Sequence, residues 1–202
     1  MHIKKAVEEL LAVGNHVKAH PDFEVIFEAF PIMRASDMDD WQEVIREEAP
    51  SFGEYVLPAS LKEVYGATGA LRLHWVSKKS RDLIGVTKIV GIVGLFQTDE
   101  ESSKGMTIED CCKQLRPFDV IDERRFVGMR LPQQGDEVDL VYVDKKQRLE
   151  VELSLNPVQY IVELSRYKGL VGWQKRFFKG AKAGVEDASA VERMRQLFPF
   201  LG

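Results

Sequence analysis

Apolar positions recur at two different periods along the chain, and each change of period marks an element. Ile3, Val7, Leu10, Leu11 and Val17 repeat at helical spacing, and Pro21 closes that run. A short apolar stretch, FEVIFEAF, then continues to Pro31. Met38, Trp41 and Ile45, with Val44 beside them, form a second helical stripe, for which Ser36 or Asp37 is the expected N-cap and Pro50 the stop. Leu61, Val64 and Tyr65 form the stripe of a short helix with Pro58 in its first turn. Gly66 and Gly69 are expected to end it in left-handed or extended conformations.

From there the period shortens to two. Leu71, Leu73 and Trp75 alternate with Arg72, His74 and Val76, which is strand spacing. The β-branched run 84–96 predicts one mostly buried strand, with Gly91 and Gly94 as bulge candidates. Three more strands follow, around 124–131, 137–144 and 148–154, the last two joined by a DKKQ hairpin loop. Asn156 and Pro157 are a cap and a first-turn proline for a helix with Val158, Ile161, Val162 and Leu164 inward. A last helix is expected at 187–198, carried by Val191, Met194 and Leu197. Helices, a sequential block of strands and helices again predict an α+β fold. Its sheet is expected to be mixed or mostly antiparallel, of about five strands, flanked by helices.

Composition narrows the function classes. The 202 residues carry a formal charge of −4, with 45% apolar and 30% charged side chains. That is a globular composition, and its sign argues against a general nucleic-acid binder. No apolar run reaches the roughly 20 residues of a membrane span, and Glu8 and Glu9 interrupt any signal-peptide pattern at the N-terminus. The expected location is cytoplasmic. Cys111 and Cys112 are adjacent and imply no disulfide framework.

The stretch RYKGLVGWQKRFFKGAK (166–182) holds six cations, four aromatic rings and no acid. It is the one candidate for a nucleic-acid or membrane-surface site. On a helical wheel at about 100° per residue, Leu170, Trp173 and Phe177 fall on one side and Lys175, Arg176 and Lys179 on the other. That predicts a buried face and a wet face rather than the interleaved platform that binds single strands.

YVLPASLKEVYGATGALRLHW, with Leu57, Pro58, Tyr65, Gly69 and Trp75, resembles the entry motif of the SUKH superfamily of Syd and Smi/Knr-type proteins. RPFDVIDERRFVGMRL resembles its central strand region. The hairpin, helix and final Gly-x-x-x-Trp-Gln-x-x-Phe block, with Trp173 and Phe177, resembles its end. The likeness covers about residues 40 to 180. It implies a helical extension at 1–35, a SUKH-like α+β domain at 36–182 and a C-terminal helix at 183–202 packed on it. It also implies a bacterial, non-enzymatic protein-binding module, expected to be an immunity protein. Such a protein neutralises a toxin, often a nuclease, by direct binding and needs no cofactor. The alternatives are a housekeeping regulatory or scaffold protein of the same type, or a nucleic-acid or membrane-surface binder.

The expected docking patch is acidic. Asp37, Asp39, Asp40, Glu43, Glu47 and Glu48 on the second helix face only one cation of that helix, Arg46. Complementary charge would steer a basic partner onto it. The same acids also suit a solvated helix whose first turn favours negative charge. His16 and His20 are four apart, but no third metal ligand is evident. His74 reads as a partly exposed sheet residue. No phosphate loop, nucleophile elbow or zinc-deaminase motif occurs. Trp41, Trp75 and Trp173 fit core packing as well as an interface.

Overall fold

In the computed structural model the described residues are 2–52, 54, 56–79, 81, 83–96, 114–132, 137–180, 192 and 196–198. Five helices are defined among them: α1 (Ile3–Ala19), α2 (Ala35–Glu48), α3 (Ala59–Ala67), α4 (Ile92–Phe96) and α5 (Pro157–Arg166). Seven strands are defined: β1 (Phe23–Phe30), β2 (Ala70–Ser77), β3 (Ile84–Ile89), β4 (Arg116–Val120), β5 (Arg125–Arg130), β6 (Asp139–Asp144) and β7 (Leu149–Glu152). They form one sheet in sequence order, and every neighbouring pair is antiparallel. The fold is α+β, with seven strands instead of the expected five.

Both additional strands have a local cause. In FEVIFEAF both parities carry apolar residues, so the alternation is hidden. Phe23 is buried and Val25 and Phe27 half-buried, while Ile26 and Phe30 are exposed on the other face. Residues 23–30, expected to lie in a helical extension, therefore form a full strand paired with β2 from Phe23↔Ser77 to Phe30↔Ala70. β4 contains Pro117, which disfavours a regular ladder, and the register shifts between Pro117 and Asp119. The run 84–96 also divides: β3 stops at Ile89 and α4 begins at Ile92.

α1, α3 and α5 pack on one another over one face of the sheet. Most of their buried residues join Leu71, Ile89, Phe118, Val127, Met129, Leu140 and Tyr142 in the main core, while Val13 and Val17 of α1 pack with Phe23, Leu73, Trp75, Leu83 and Phe198 in a second cluster. Gly14 lets α1 approach β1, since a Cβ there would sit 2.3 Å from the Phe27 ring. At α5, Asn156 accepts from the Gln159 N–H at 2.8 Å and Gln159 Oε1 from the Asn156 N–H at 3.0 Å. This is the reciprocal cap expected of the cap-plus-proline signature. The α2 start lies two or three residues earlier than expected: Arg34 is the N-cap, and Asp37 accepts from its N–H at 3.1 Å.

Residues 166–182 are not a continuous helix. After α5 the backbone turns through positive φ at Lys168 (52°) and Gly169 (74°). The Gly169 carbonyl accepts from the Val86 N–H at 2.8 Å, and the Val171 N–H reaches the Ile84 carbonyl at 2.9 Å. A 3-10 turn spans Trp173–Phe177. Beyond it the Ser154 N–H bonds the Phe177 carbonyl at 2.7 Å and the Lys179 N–H the Glu152 carbonyl at 2.8 Å. The stretch is a strap tied to β3 at one end and to the end of β7 at the other. Most of the helix expected at 187–198 lies outside the described residues. Phe198 is described, and it packs against Phe23, Trp75 and His16.

Candidate functional site

The acidic patch is a helix face. Met38 and Ile45 are buried, Trp41 is half-buried against the core, and Val44 is half-buried. The opposite side presents Asp39, Asp40, Glu43 and Glu47, and Glu48 stands at the helix end on the side of Trp41; all five are exposed. Asp37 is set apart from them, because its carboxylate is engaged at the helix start. Asp39 lies 3.6 Å from Lys62 of α3. An exposed pair of that length contributes little to stability, about 0–1 kcal/mol. The face is a concentrated negative surface on a rigid element.

The resemblance residues serve the interior. Leu57, Tyr65, Trp75 and Trp173 are buried. Pro58 is the N-cap of α3 rather than a first-turn residue. The Tyr65 hydroxyl donates to the Val90 carbonyl at 3.0 Å, and burial pushes its phenol well above the ordinary range. Neither Gly66 nor Gly69 has positive φ. Gly69 is required by close approach instead: a Cβ there would stand 1.7 Å from the Pro31 carbonyl oxygen. The Trp75 indole N–H donates to the Lys168 carbonyl at 2.9 Å, and Phe177 meets Trp173 edge to face.

One polar centre was not legible in the sequence. β3 and β4 pair only at Ile89↔Asp119, so the sheet divides beside Lys88 and Thr87. The Asp119 carboxylate, fully buried, accepts there from the Lys88 N–H at 2.8 Å and the Thr87 hydroxyl at 2.9 Å. Its other oxygen accepts from the Tyr160 hydroxyl at 2.6 Å, and Tyr160 in turn accepts from Gln174 Nε2 at 3.2 Å. Burial raises the Asp119 pKa, against the lowering effect of these donors. With all its near neighbours being hydrogen-bond donors already in use, the carboxylate completes the split sheet and is no exposed acid or base. Lys168 is clamped nearby: its ammonium, lowered in pKa by burial, lies 3.9 Å from Glu9 of α1.

The remaining candidates separate. The His16 and His20 rings meet at a tilt, their centroids 5.5 Å apart beside Phe23, and burial and His20 lower the His16 pKa. His74 is half-buried on the outer sheet face. Among the described residues no group of three or more His, Cys, Asp or Glu side chains is placed to hold a metal. Cys111 and Cys112 lie outside the described residues. The strap's cations are dispersed: Lys168 is buried, Arg176 bonds the Tyr167 hydroxyl and covers its ring, and Lys179 pairs with Glu152 at 3.0 Å. A depression of about 350 Å³ between α3 and the β6–β7 side is lined by Ser60, Glu137, Asp139, Asn156 and Lys179 among others. No helix among the described residues is long and apolar enough to cross a membrane.

Comparisons with protein-family models, curated proteins and solved structures returned no match to this chain.

Proposed function

We propose that the chain is a non-enzymatic protein-binding module, a bacterial immunity protein that neutralises a basic toxin by stoichiometric binding. The carrying observation is α2, whose outer face exposes Asp39, Asp40, Glu43 and Glu47, with Glu48 exposed at its end, while Met38 and Ile45 turn inward. A field of one sign on a rigid element raises the association rate of an oppositely charged partner and rejects like-charged ones. The likeness of Leu57, Pro58, Tyr65, Gly69 and Trp75 to the SUKH motif supports the same reading.

The test begins with the genomic neighbourhood: an adjacent toxin gene is expected, and co-expression with that toxin follows. Growth is expected to be restored by the native chain. A variant with all five exposed α2 carboxylates changed to Lys is expected to give no rescue while keeping its native melting temperature. Failure of the native chain to rescue or to form a complex removes the immunity reading.

A further inference from the structure

Among the described residues, several strand edges lack a full-length neighbour, and the strap covers parts of two. Gly169 and Val171 bond β3 where it parts from β4, and Phe177 and Lys179 bond the end of β7. Among the described residues nothing pairs with the outer edge of β1, which is 8 residues long. We infer that this edge accepts an extended segment of a protein partner as an eighth strand, and that basic and apolar residues alternate in that segment. The inference rests on the reading of the chain as a protein-binding module.

Backbone parity defines the acceptor groups. The Lys78 N–H bonds the Asp22 carbonyl at 2.8 Å, one step beyond the pair Phe23↔Ser77. The Ser77 N–H bonds the Leu83 carbonyl toward β3. Even residues of β2 therefore bond β1 and odd residues bond β3. It follows that Val25, Phe27 and Ala29 turn their N–H and C=O groups to the open edge. These are the groups a further strand would bond.

The side chains select the occupant. The solvent face of β1 reads Glu24, Ile26, Glu28, Phe30, with Ile26 40% and Phe30 55% exposed. Ile26 begins a row continued by His74 and Val86, and Glu28 a row continued by Arg72 and Lys88. On the inner face, apolar residues of the added strand extend the rows begun by the half-buried Val25 and Phe27, while its alternate residues face the solvent side. A Lys or Arg opposite Glu28 sets that carboxylate between two cations, since Arg72 already lies 3.6 Å from it.

The same pattern disfavours a second copy of this chain. Antiparallel two-fold pairing centred on Ile26 sets Glu24 opposite Glu28. Centred on Glu28, it sets that carboxylate against its own copy. Centred on Val25 or Phe27, it sets Glu24 or Glu28 opposite Ile26. Each register opposes like charges or a carboxylate and an aliphatic group, a familiar protection of edge strands.

The test uses two labelled, end-blocked heptapeptides, one alternating Lys and Val and one alternating Glu and Val, titrated into the full chain. The Lys/Val peptide is expected to bind, to protect the Val25, Phe27 and Ala29 amides from exchange, and to keep binding when the five α2 carboxylates are Lys. Ala29→Pro, which removes one outward N–H, is expected to weaken it about tenfold. Glu24→Lys with Glu28→Lys is expected to reverse the preference to the Glu/Val peptide. The proposal is overturned by equal binding of both peptides, by no binding of the Lys/Val peptide, by its loss in the α2 variant, or by β1-mediated dimerisation. If Ala29→Pro does not fold, the charge-reversed variant and the amide protection decide. Rescue lost only in the α2 variant, with these peptides inert, removes the strand-addition proposal and leaves the proposed function intact.

Discussion

The inner edge of β3 and the outer edge of β1 pose the same physical problem, and the chain treats them in opposite ways. At β3 the N–H groups of Val86 and Lys88 are taken by the Gly169 carbonyl and the Asp119 carboxylate. Closing that edge requires a buried acid, a lysine at φ 52° and a glycine at φ 74°. At β1 no such device is present among the described residues, and the solvent face carries Glu24 and Glu28. The carboxylates show the same contrast. Asp119 is surrounded by donors and holds the fold, whereas Asp40, Glu43 and Glu47 face solvent. A residue with every bond satisfied inside the molecule is spent on stability. An exposed one is available to a partner.

Proline substitution at the two edges has the most unequal expected effects. Val86→Pro removes the donor to Gly169 and is expected to cost about 3 kcal/mol in urea unfolding. Tyr160→Phe comes next, at about 1–3 kcal/mol, because it strips the 2.6 Å donor from a buried carboxylate. That loss carries a pH signature. Asp119 is raised above its ordinary 3.8, so the fold favours its protonated form, and its contribution to stability falls as pH rises through the folded value. Removing a donor to the ionised form raises the folded value further. The deficit of Tyr160→Phe is therefore expected to be largest at neutral pH and to shrink in acid, and a deficit constant with pH would refute the role given to Asp119.

Gly169→Ala is expected to cost about 1 kcal/mol, a conformational penalty at φ 74°, since no atom lies closer than 3.6 Å to the added Cβ. Ala29→Pro should change stability least, within about 0.5 kcal/mol, because its N–H points away from β2. A loss there comparable to that of Val86→Pro would show that the β1 edge is already bonded.

Much of this arrangement was legible in the sequence. The period of two at 71–76 became β2, and Asn156 with Pro157 became a capped helix start. β1 was obscured because Phe23, Val25 and Phe27 alternate with Ile26 and Phe30, apolar on both faces. The strap was read as a helix because Leu170, Trp173 and Phe177 share helical spacing. Positive φ at Lys168, Gly169 and Gly172 decides otherwise. The acidic face of α2 was visible from its composition alone. The centre at Asp119 was not, because it arises from a division between two strands 27 residues apart in the chain, Ile89 and Arg116. Periodicity within one segment carries no information about where two segments part.

The docking role of α2 is tested by the growth of cells expressing a toxin from an adjacent gene, with either the native chain or the variant carrying Lys at positions 39, 40, 43, 47 and 48. Both chains are held at matched abundance and melting temperature. Rescue by the native chain alone is the predicted result. Equal rescue by both chains would show that the α2 carboxylates are not the docking surface.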